Sequence, residues 1–332
     1  MAHVVNREPY VKNLNLVHQG KVRDLYELPK HYVPVLGKKT KRPVFYLMVA
    51  TDAVSTHNVV HLSSIPDKGQ ILTAMQIAWM LGPLQHIPNH IAAFGLEIYK
   101  YLPGERADYP PDLHLRSIVV YVGEVVPIEF IFRARMAGSL WTKFYKEGIP
   151  NPYELDLPTG LRLMSPFLEP IFTPTDKSDT DDERPSDDVE AEFSEETAFA
   201  RRIYQIGRTY ALTREIDIID FKCEVGSVNI HQDSPCLMDE WLTPDCCRFV
   251  DAKGVVVGQE PKWKDKQIVR DEAERVWGNG PKVPLTLNPF VIDKTREAYH
   301  EVMEQLFGMT LFEFQEMYLQ CRDQPISFAR GA

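Results

Sequence analysis

The β-branched and aromatic runs of this chain crowd into its first third, and the helical periods come afterwards in blocks. That order does not suit a regular βαβ repeat, in which a crossover helix sits between each pair of parallel strands. The expected fold class is α+β. Strands are expected at 14–18, 22–28 and 44–50, all rich in apolar and β-branched residues. Ile71, Leu72, Met75, Ala78 and Trp79 fall at helical spacing within 71–81. Strands at 118–122 and 128–132 are separated by Gly123 and Pro127. Ser194 suits the N-cap of a helix reaching about Thr213, with Ala198, Ile203, Ile206 and Tyr210 on its apolar side. Segments 215–225, 237–242 and 255–257 read as strands, and 291–307 and 311–321 as closing helices with Gly308 as a stop between them. Segment 30–41, with Gly37, Lys38, Lys39 and Lys41, reads as a hairpin-type loop. The best joint is Val125-Val126-Pro127, which divides the chain into domains at 1–125 and 126–332.

Charge narrows the function classes. The 332 residues carry a formal net charge of −10. Nearly all of it lies in 176–198, where eleven acids face only Lys177 and Arg184. Such a run is ordinarily a solvated loop; the alternative is that one or two of its carboxylates stand beside a Mg²⁺–phosphate site. An acidic chain is a poor match for nucleic acid, and no apolar run approaches the ~20 residues that span a bilayer. Five cysteines with no CxxC pair suggest neither a disulfide framework nor a zinc site. Cys246 and Cys247 read as two free thiols. With no signal pattern in Met1–Arg7, a cytoplasmic enzyme is expected.

Four segments can carry chemistry. In Gly20-Lys21-Val22-Arg23-Asp24, a strand enters a glycine turn whose N–H groups and lysine suit a phosphate, or simply an exposed hairpin. Arg133 and Arg135, two apart on a strand, project to one side, with Gly138-Ser139 beyond them. That set suits a phosphate monoester, or a solvated strand end. Asp220, Lys222 and Glu224 alternate with Phe221, Cys223 and Val225, so the charged three share one face of a strand. The face is either solvated or lines an ATP–Mg²⁺ cleft. Asp239 and Glu240 sit in an otherwise apolar strand, where a carboxylate is costly unless paired or metal-bound. Asp245 reads as a turn cap, and Arg248 beyond it can reach an anion. No GxSxG exists, and the histidines are scattered, so a nucleophilic triad has no support.

Read in order, GKVRDLYEL (20–28), VATDAVS (49–55), IPDKGQILT (65–73), VPIEFIFRARMAGSLW (126–141), IFTPTDKSD (171–179), IDFKCEVG (219–226), LMDEWLTPDCCRF (237–249) and DKQIVRD (265–271) resemble the SAICAR synthetase family. The resemblance implies an ATP-dependent ligase that joins carboxyaminoimidazole ribonucleotide to L-aspartate through an acyl phosphate. It implies ATP and Mg²⁺ as cofactors and small molecules as the only partners. It also implies a small kinase-like N-terminal antiparallel-sheet lobe packed on a larger ATP-grasp-like α+β domain, as monomer or homodimer. By motif, Gly20, Lys21, Val22 and Arg23 would hold the ATP phosphates, and Val120 and Tyr121 would offer a backbone edge to adenine. Lys222 and Glu224 would contact the nucleotide, and Asp239 with Glu224 would hold Mg²⁺. Arg133, Ser139 and Arg248 would take the 5′-phosphate, with Lys177, Asp182 and Asp245 completing the substrate set. Lys177, Lys222 and Asp239 would act on the reacting groups.

The chain also departs from the family's pattern. Members commonly read TDR-I/V-SAFD where this chain has Thr51-Asp52-Ala53-Val54-Ser55-Thr56-His57-Asn58, and Ser-Ser or Gly-Ser where it has Cys246-Cys247. Two alternatives follow: the same ligation with another amine, or a paralogue that binds nucleotides without ligating. A kinase-like phosphotransferase lacks its HRD and DFG signatures.

Overall fold

Residues 7–29, 45–146, 148–178, 180–231 and 234–320 are described in the computed structural model of the chain. The hairpin-type loop expected at 30–41, Asp179 and Cys321 lie outside them. The described residues fall into two units, those of 1–85, 90–123 and 266–332, and those of 86–89 and 124–265. The chain passes into the second unit at 86–89, returns to the first, and enters the second again at Glu124. The segment from Lys266 onward, expected in the C-terminal domain, instead packs with the N-terminal residues.

The first unit begins with β1 (Asn15–Gln19), β2 (Arg23–Glu27) and β3 (Phe45–Ala50), close to the expected strands. There follow a hairpin of β4 (Ala53–Thr56) and β5 (Val59–Ser64), α1 (Lys68–Leu81), β6 (Ile91–Phe94), α2 (Leu113–Arg116) and β7 (Ser117–Tyr121). The five-stranded sheet is antiparallel, in the order β1-β2-β3-β7-β6. Tyr26, Phe45, Leu47, Val49 and Val119 are buried on it with Leu113 and Ile98, and burying each large side chain stabilises by roughly 1.5–3 kcal/mol. Gly69 lies so close to β3 that a Cβ there would meet the Ala50 carbonyl oxygen at 2.4 Å. Only glycine permits α1 to start there, with the Gly69 N–H donating to Asp52 Oδ1 at 2.9 Å.

The second unit holds β8 (Glu124–Arg135), β9 (Pro166–Phe172), β10 (Thr175–Asp176), α3 (Ser186–Glu192), α4 (Ser194–Thr213), β11 (Ile216–Ser227), β12 (Cys236–Met238) and β13 (Arg248–Asp251). Its sheet is antiparallel: β8 and β11 lie side by side at its centre, β9 and β10 pair with β8, and β12 and β13 pair with β11. One face packs on α4, whose Tyr204 stacks on Phe221 with ring centroids 5.6 Å apart. The buried face of α4 runs through Ala200, Ile203, Tyr204 and Gly207, rotated from the expected one; Ala198 is exposed. The small residues let the helix approach, since a Cβ on Gly207 would meet Leu242 Cδ1 at 2.6 Å.

The strand expected at 237–242 ends at Met238, because Asp239 and Leu242 take left-handed conformations with φ 52° and 53°. No strand forms at 255–257. The chain then returns to the first unit with α5 (Gln267–Trp277), α6 (Pro289–Phe307) and α7 (Leu311–Phe314). Asn288 caps α6 and left-handed Gly308 ends it, as expected from the stop signal. The four described cysteines are free thiols.

Candidate active site

On the second unit's sheet, alternation puts Phe221, Cys223 and Val225 toward the core and Asp220, Lys222 and Glu224 on the face opposite α4. The expected charged face therefore exists, and its members are interlocked rather than simply solvated. In register, Asp220 stands opposite both Arg133 of β8 and Arg248 of β13. Arg133 Nη1 lies 2.9 Å from Asp220 Oδ2, and Arg248 Nη1 pairs with the same oxygen. Arg133 also donates from Nε to Thr173 Oγ1 at 3.0 Å and from Nη2 to Ser139 Oγ at 3.4 Å. Gly138, with φ 57°, faces the Arg248 guanidinium, where a Cβ would come within 2.8 Å. Arg135 does not join this set. Across a register shift between Arg133 and Arg135 it turns to Asp217, at 2.8 Å. Arg133 is thus gathered with Arg248 on Asp220 rather than with Arg135.

Further along the same face, Lys222 Nζ lies 2.5 Å from Glu129 Oε1, and Thr175 donates to Glu129 Oε2 at 2.8 Å. Burial works against both charges. The pairing outweighs it, holding the Lys222 ammonium above and the Glu129 carboxyl below their ordinary values. Lys177 Nζ lies 2.5 Å from Glu224 Oε2. Burial pushes Glu224 up, and the neighbouring Asp239 carboxylate pushes it further. Asp182 is exposed, and its backbone N–H closes a turn on Asp176 Oδ1. It is Asp181, left-handed at φ 52°, whose charge acts on Lys222. Asp245 is buried in the turn after β12, its N–H donating to Thr243 Oγ1 at 3.4 Å.

In the first unit, the turn of Gly20, Lys21, Val22 and Arg23 joins β1 to β2. It is closed by the Gly20 N–H on the Arg23 carbonyl at 2.7 Å. Lys21 Nζ donates to Asn58 Oδ1 at the tip of the β4–β5 hairpin. Val120 lies on an interior strand, paired with Tyr46 on one side and Ile91 on the other, and the Tyr121 N–H donates to the His90 carbonyl at 2.8 Å. The backbone edge expected there is already engaged with neighbouring strands. Ala53 lines a cavity of about 300 Å³ with Tyr10, Asp52, His61, Ser63 and Arg116. Arg116 is bound by Asp52 at 3.1 Å and Asp112 at 2.8 Å and stacks over the Tyr10 ring at 4.9 Å.

Residues 16–284 match the family model described as SAICAR synthetase. The chain belongs to the SAICAR synthetase family. The phosphoribosylaminoimidazole-succinocarboxamide synthase of Stenotrophomonas maltophilia is 35% identical over 312 residues, which cover 90% of this chain and 95% of the relative. That of Saccharomyces cerevisiae is 34% identical over 310 residues, 89% of this chain and 95% of the relative. A solved SAICAR synthase from Saccharomyces cerevisiae, complexed with SAICAR, superposes with a TM-score of 0.76 at 30% identity, covering 92% of this chain and 99% of that one. These likenesses do not favour the alternatives of another amine or of a paralogue without activity.

For a family member, the donor set decides how Mg²⁺ fits. Among the described residues no group of three or more His, Cys, Asp or Glu side chains is arranged for a metal. The Glu224–Asp239 pair is two carboxylates whose repulsion a cation would relieve. Mg²⁺ typically takes one or two carboxylates and completes its shell with water and substrate phosphate oxygens, so the pair fits it. Motif reading missed Glu129 and Thr175. Asp220 was expected on the charged face from the alternation of its strand, without a role of its own. Glu129 was not, because its role depends on which strand pairs with β11.

Proposed function

We propose that this chain joins carboxyaminoimidazole ribonucleotide to L-aspartate at the expense of ATP, giving SAICAR, ADP and phosphate. One observation carries the placement of the chemistry: the row of Arg133, Asp220 and Arg248 stands on the same sheet face as Lys222, Glu224 and Lys177. A carboxylate is a poor electrophile. Its oxygen attacks the γ-phosphorus, the bond to the β–γ bridging oxygen breaks, and ADP leaves. The aspartate amine then attacks the carbonyl carbon of the acyl phosphate, the C–O bond to phosphate breaks, and the amine gives up a proton.

Each residue has a part in this reading. Lys21 and its turn hold ATP phosphates, and Arg133, Ser139 and Arg248 hold the 5′-phosphate by charge-assisted hydrogen bonds. Lys177 and Lys222 face the transferring group; their acid partners Glu224 and Glu129 fix where the ammonium groups point. Glu224 and Asp239 hold Mg²⁺, which when bound neutralises charge developing on the phosphoryl oxygens. The finer architecture belongs to the same reading: a kinase-like nucleotide lobe from the five-stranded sheet, and an ATP-grasp-like domain for substrate and metal. The free thiols Cys223, Cys236, Cys246 and Cys247 suit a reducing cytoplasm.

The test is ADP release by the purified protein, with product masses read in parallel. ADP release that requires both the ribonucleotide and aspartate, with a product of the succinocarboxamide mass, is expected. Release that ignores either substrate, or none at all, overturns the reading.

A further inference from the structure

Two guanidinium groups on neighbouring strands repel unless something holds them. Arg133 and Arg248 come from β8 and β13, the strands on either side of β11, and Asp220 lies between them in register. Its side chain is about 7% exposed, and both arginines pair with its Oδ2. Two cations thus share one carboxylate beside the Ser139 hydroxyl and the backbone of Gly138. We propose that Asp220 is the positioning residue of the sugar-phosphate subsite. Its carboxylate draws the two guanidiniums into one preformed fork, so that a phosphate dianion meets donors already aligned.

The surroundings separate this from an ordinary buried ion network. Three residues earlier on the same strand, Asp217 also takes two arginines, but as a tie between elements. Arg208 grips it with Nε on Oδ1 at 2.7 Å and Nη2 on Oδ2 at 3.3 Å, and Arg135 Nε shares Oδ2 at 2.8 Å. Arg208 comes from α4, and Arg135 spends a further donor on the Met164 carbonyl at 3.2 Å. At Asp220 the fork instead borders a left-handed glycine that leaves no side chain over Arg248, and a hydroxyl within reach of Arg133. A small residue and a hydroxyl beside paired arginines are what close approach of a phosphate requires.

This inference rests on the proposed placement of the 5′-phosphate at Arg133, Ser139 and Arg248. Asp220→Asn keeps the shape and removes the charge that gathers the arginines. Its KM for the ribonucleotide is expected to rise about 10–100-fold, as for a lost charge-assisted pair. KM for ATP should stay within about twofold, and competitive inhibition by ribose 5-phosphate should weaken in step with the ribonucleotide KM. Arg248→Ala, run beside it, tests the underlying placement. If Arg248→Ala raises the ribonucleotide KM and Asp220→Asn does not, Asp220 is only structural and the inference fails. If neither changes it, the placement of the phosphate fails as well. Should Asp220→Asn not fold, Asp220→Glu keeps the charge but displaces it by one methylene. A raised ribonucleotide KM at an unchanged Tm then supports the inference, and an unchanged KM overturns it.

Discussion

Asp217 and Asp220 sit three residues apart on one strand, and each binds two arginines. The Asp217 cluster reaches into α4 and a backbone carbonyl, so it ties the helix to the sheet. The Asp220 cluster lies instead among a glycine, a hydroxyl and further charged side chains. Residue type alone therefore does not distinguish scaffold from site. What surrounds the guanidinium groups does, and the comparison can be broken by perturbing one cluster at a time.

The largest effect belongs to the face opposite α4. Lys222→Ala and Asp239→Asn should each lower kcat by about 10²–10³-fold, the loss typical of one group that stabilises transition-state charge. Tm should move little for Asp239→Asn, beyond the end of its strand, and fall for Lys222→Ala, which takes the ammonium from buried Glu129. Chelation of Mg²⁺ should abolish turnover in the wild type. A kcat unchanged in either variant would remove this face from the chemistry.

At the cluster tied to α4 the signature should invert. Asp217 is 1% exposed, and Asp217→Ala leaves Arg135 and Arg208 without their shared carboxylate. Removing one partner from a buried pair costs about 3 kcal/mol. Urea unfolding of Asp217→Ala should show that loss, while the KM values of the surviving folded protein stay near wild type. A variant that lost ribonucleotide affinity but not stability would make the two clusters equivalent and erase the contrast.

The same contrast explains what could be read before the fold was known. Alternation around Asp220, Lys222 and Glu224 fixed their common face, because a strand has a period of two whatever its partners are. The stop at Gly308 and the strands flanking Gly20 were legible for similarly local reasons. The common role of Arg133 and Arg135 was not, because the carboxylate that each meets lies on β11, more than 80 residues away in sequence. The strand expected at 237–242 failed at left-handed Asp239 and Leu242, which apolar content does not reveal. The backbone edge that the resemblance implied at Val120 is paired with Tyr46 and Ile91, which lie far from it in sequence.

Acid should weaken a third region, the β4–β5 hairpin of the first unit, by a smaller margin. His61 accepts the Leu285 N–H at Nδ1, at 3.4 Å, and its Nε2 lies 2.8 Å from Thr56 Oγ1. That arrangement needs a neutral ring. Burial lowers its pKa to about 4, with His57 and Lys266 adding to the effect. The folded pKa lies below the ordinary 6.5, so the unfolded chain takes the proton first. Stability from this group is full above about pH 6.5 and falls as pH drops toward 4, by about 2 kcal/mol at pH 5. His114, also lowered to about 4 by burial, adds a parallel loss. His61→Gln should flatten roughly half of the decline in urea midpoint between pH 7 and 5. An unchanged slope would place the acid sensitivity elsewhere.

The smallest expected effect compares Lys21 with Lys222. Lys222 is set by a carboxylate, but Lys21 is set by the amide of Asn58, where the family commonly has Asp. Asn58 is itself held at φ 63° in a hairpin braced on α5, since His57 Nε2 lies 2.9 Å from Glu274 Oε1 and the His57 ring packs against Trp277. An amide orients the ammonium without cancelling its charge, leaving that charge for a phosphate. Asn58→Ala should therefore raise KM for ATP about three- to tenfold, as for one hydrogen bond of roughly 1 kcal/mol, with kcat and the ribonucleotide KM nearly unchanged. Asn58→Asp keeps the geometry and adds a competing anion. If it raises KM for ATP as well, charge availability at Lys21 matters; if only Asn58→Ala does, orientation alone is what the hairpin supplies.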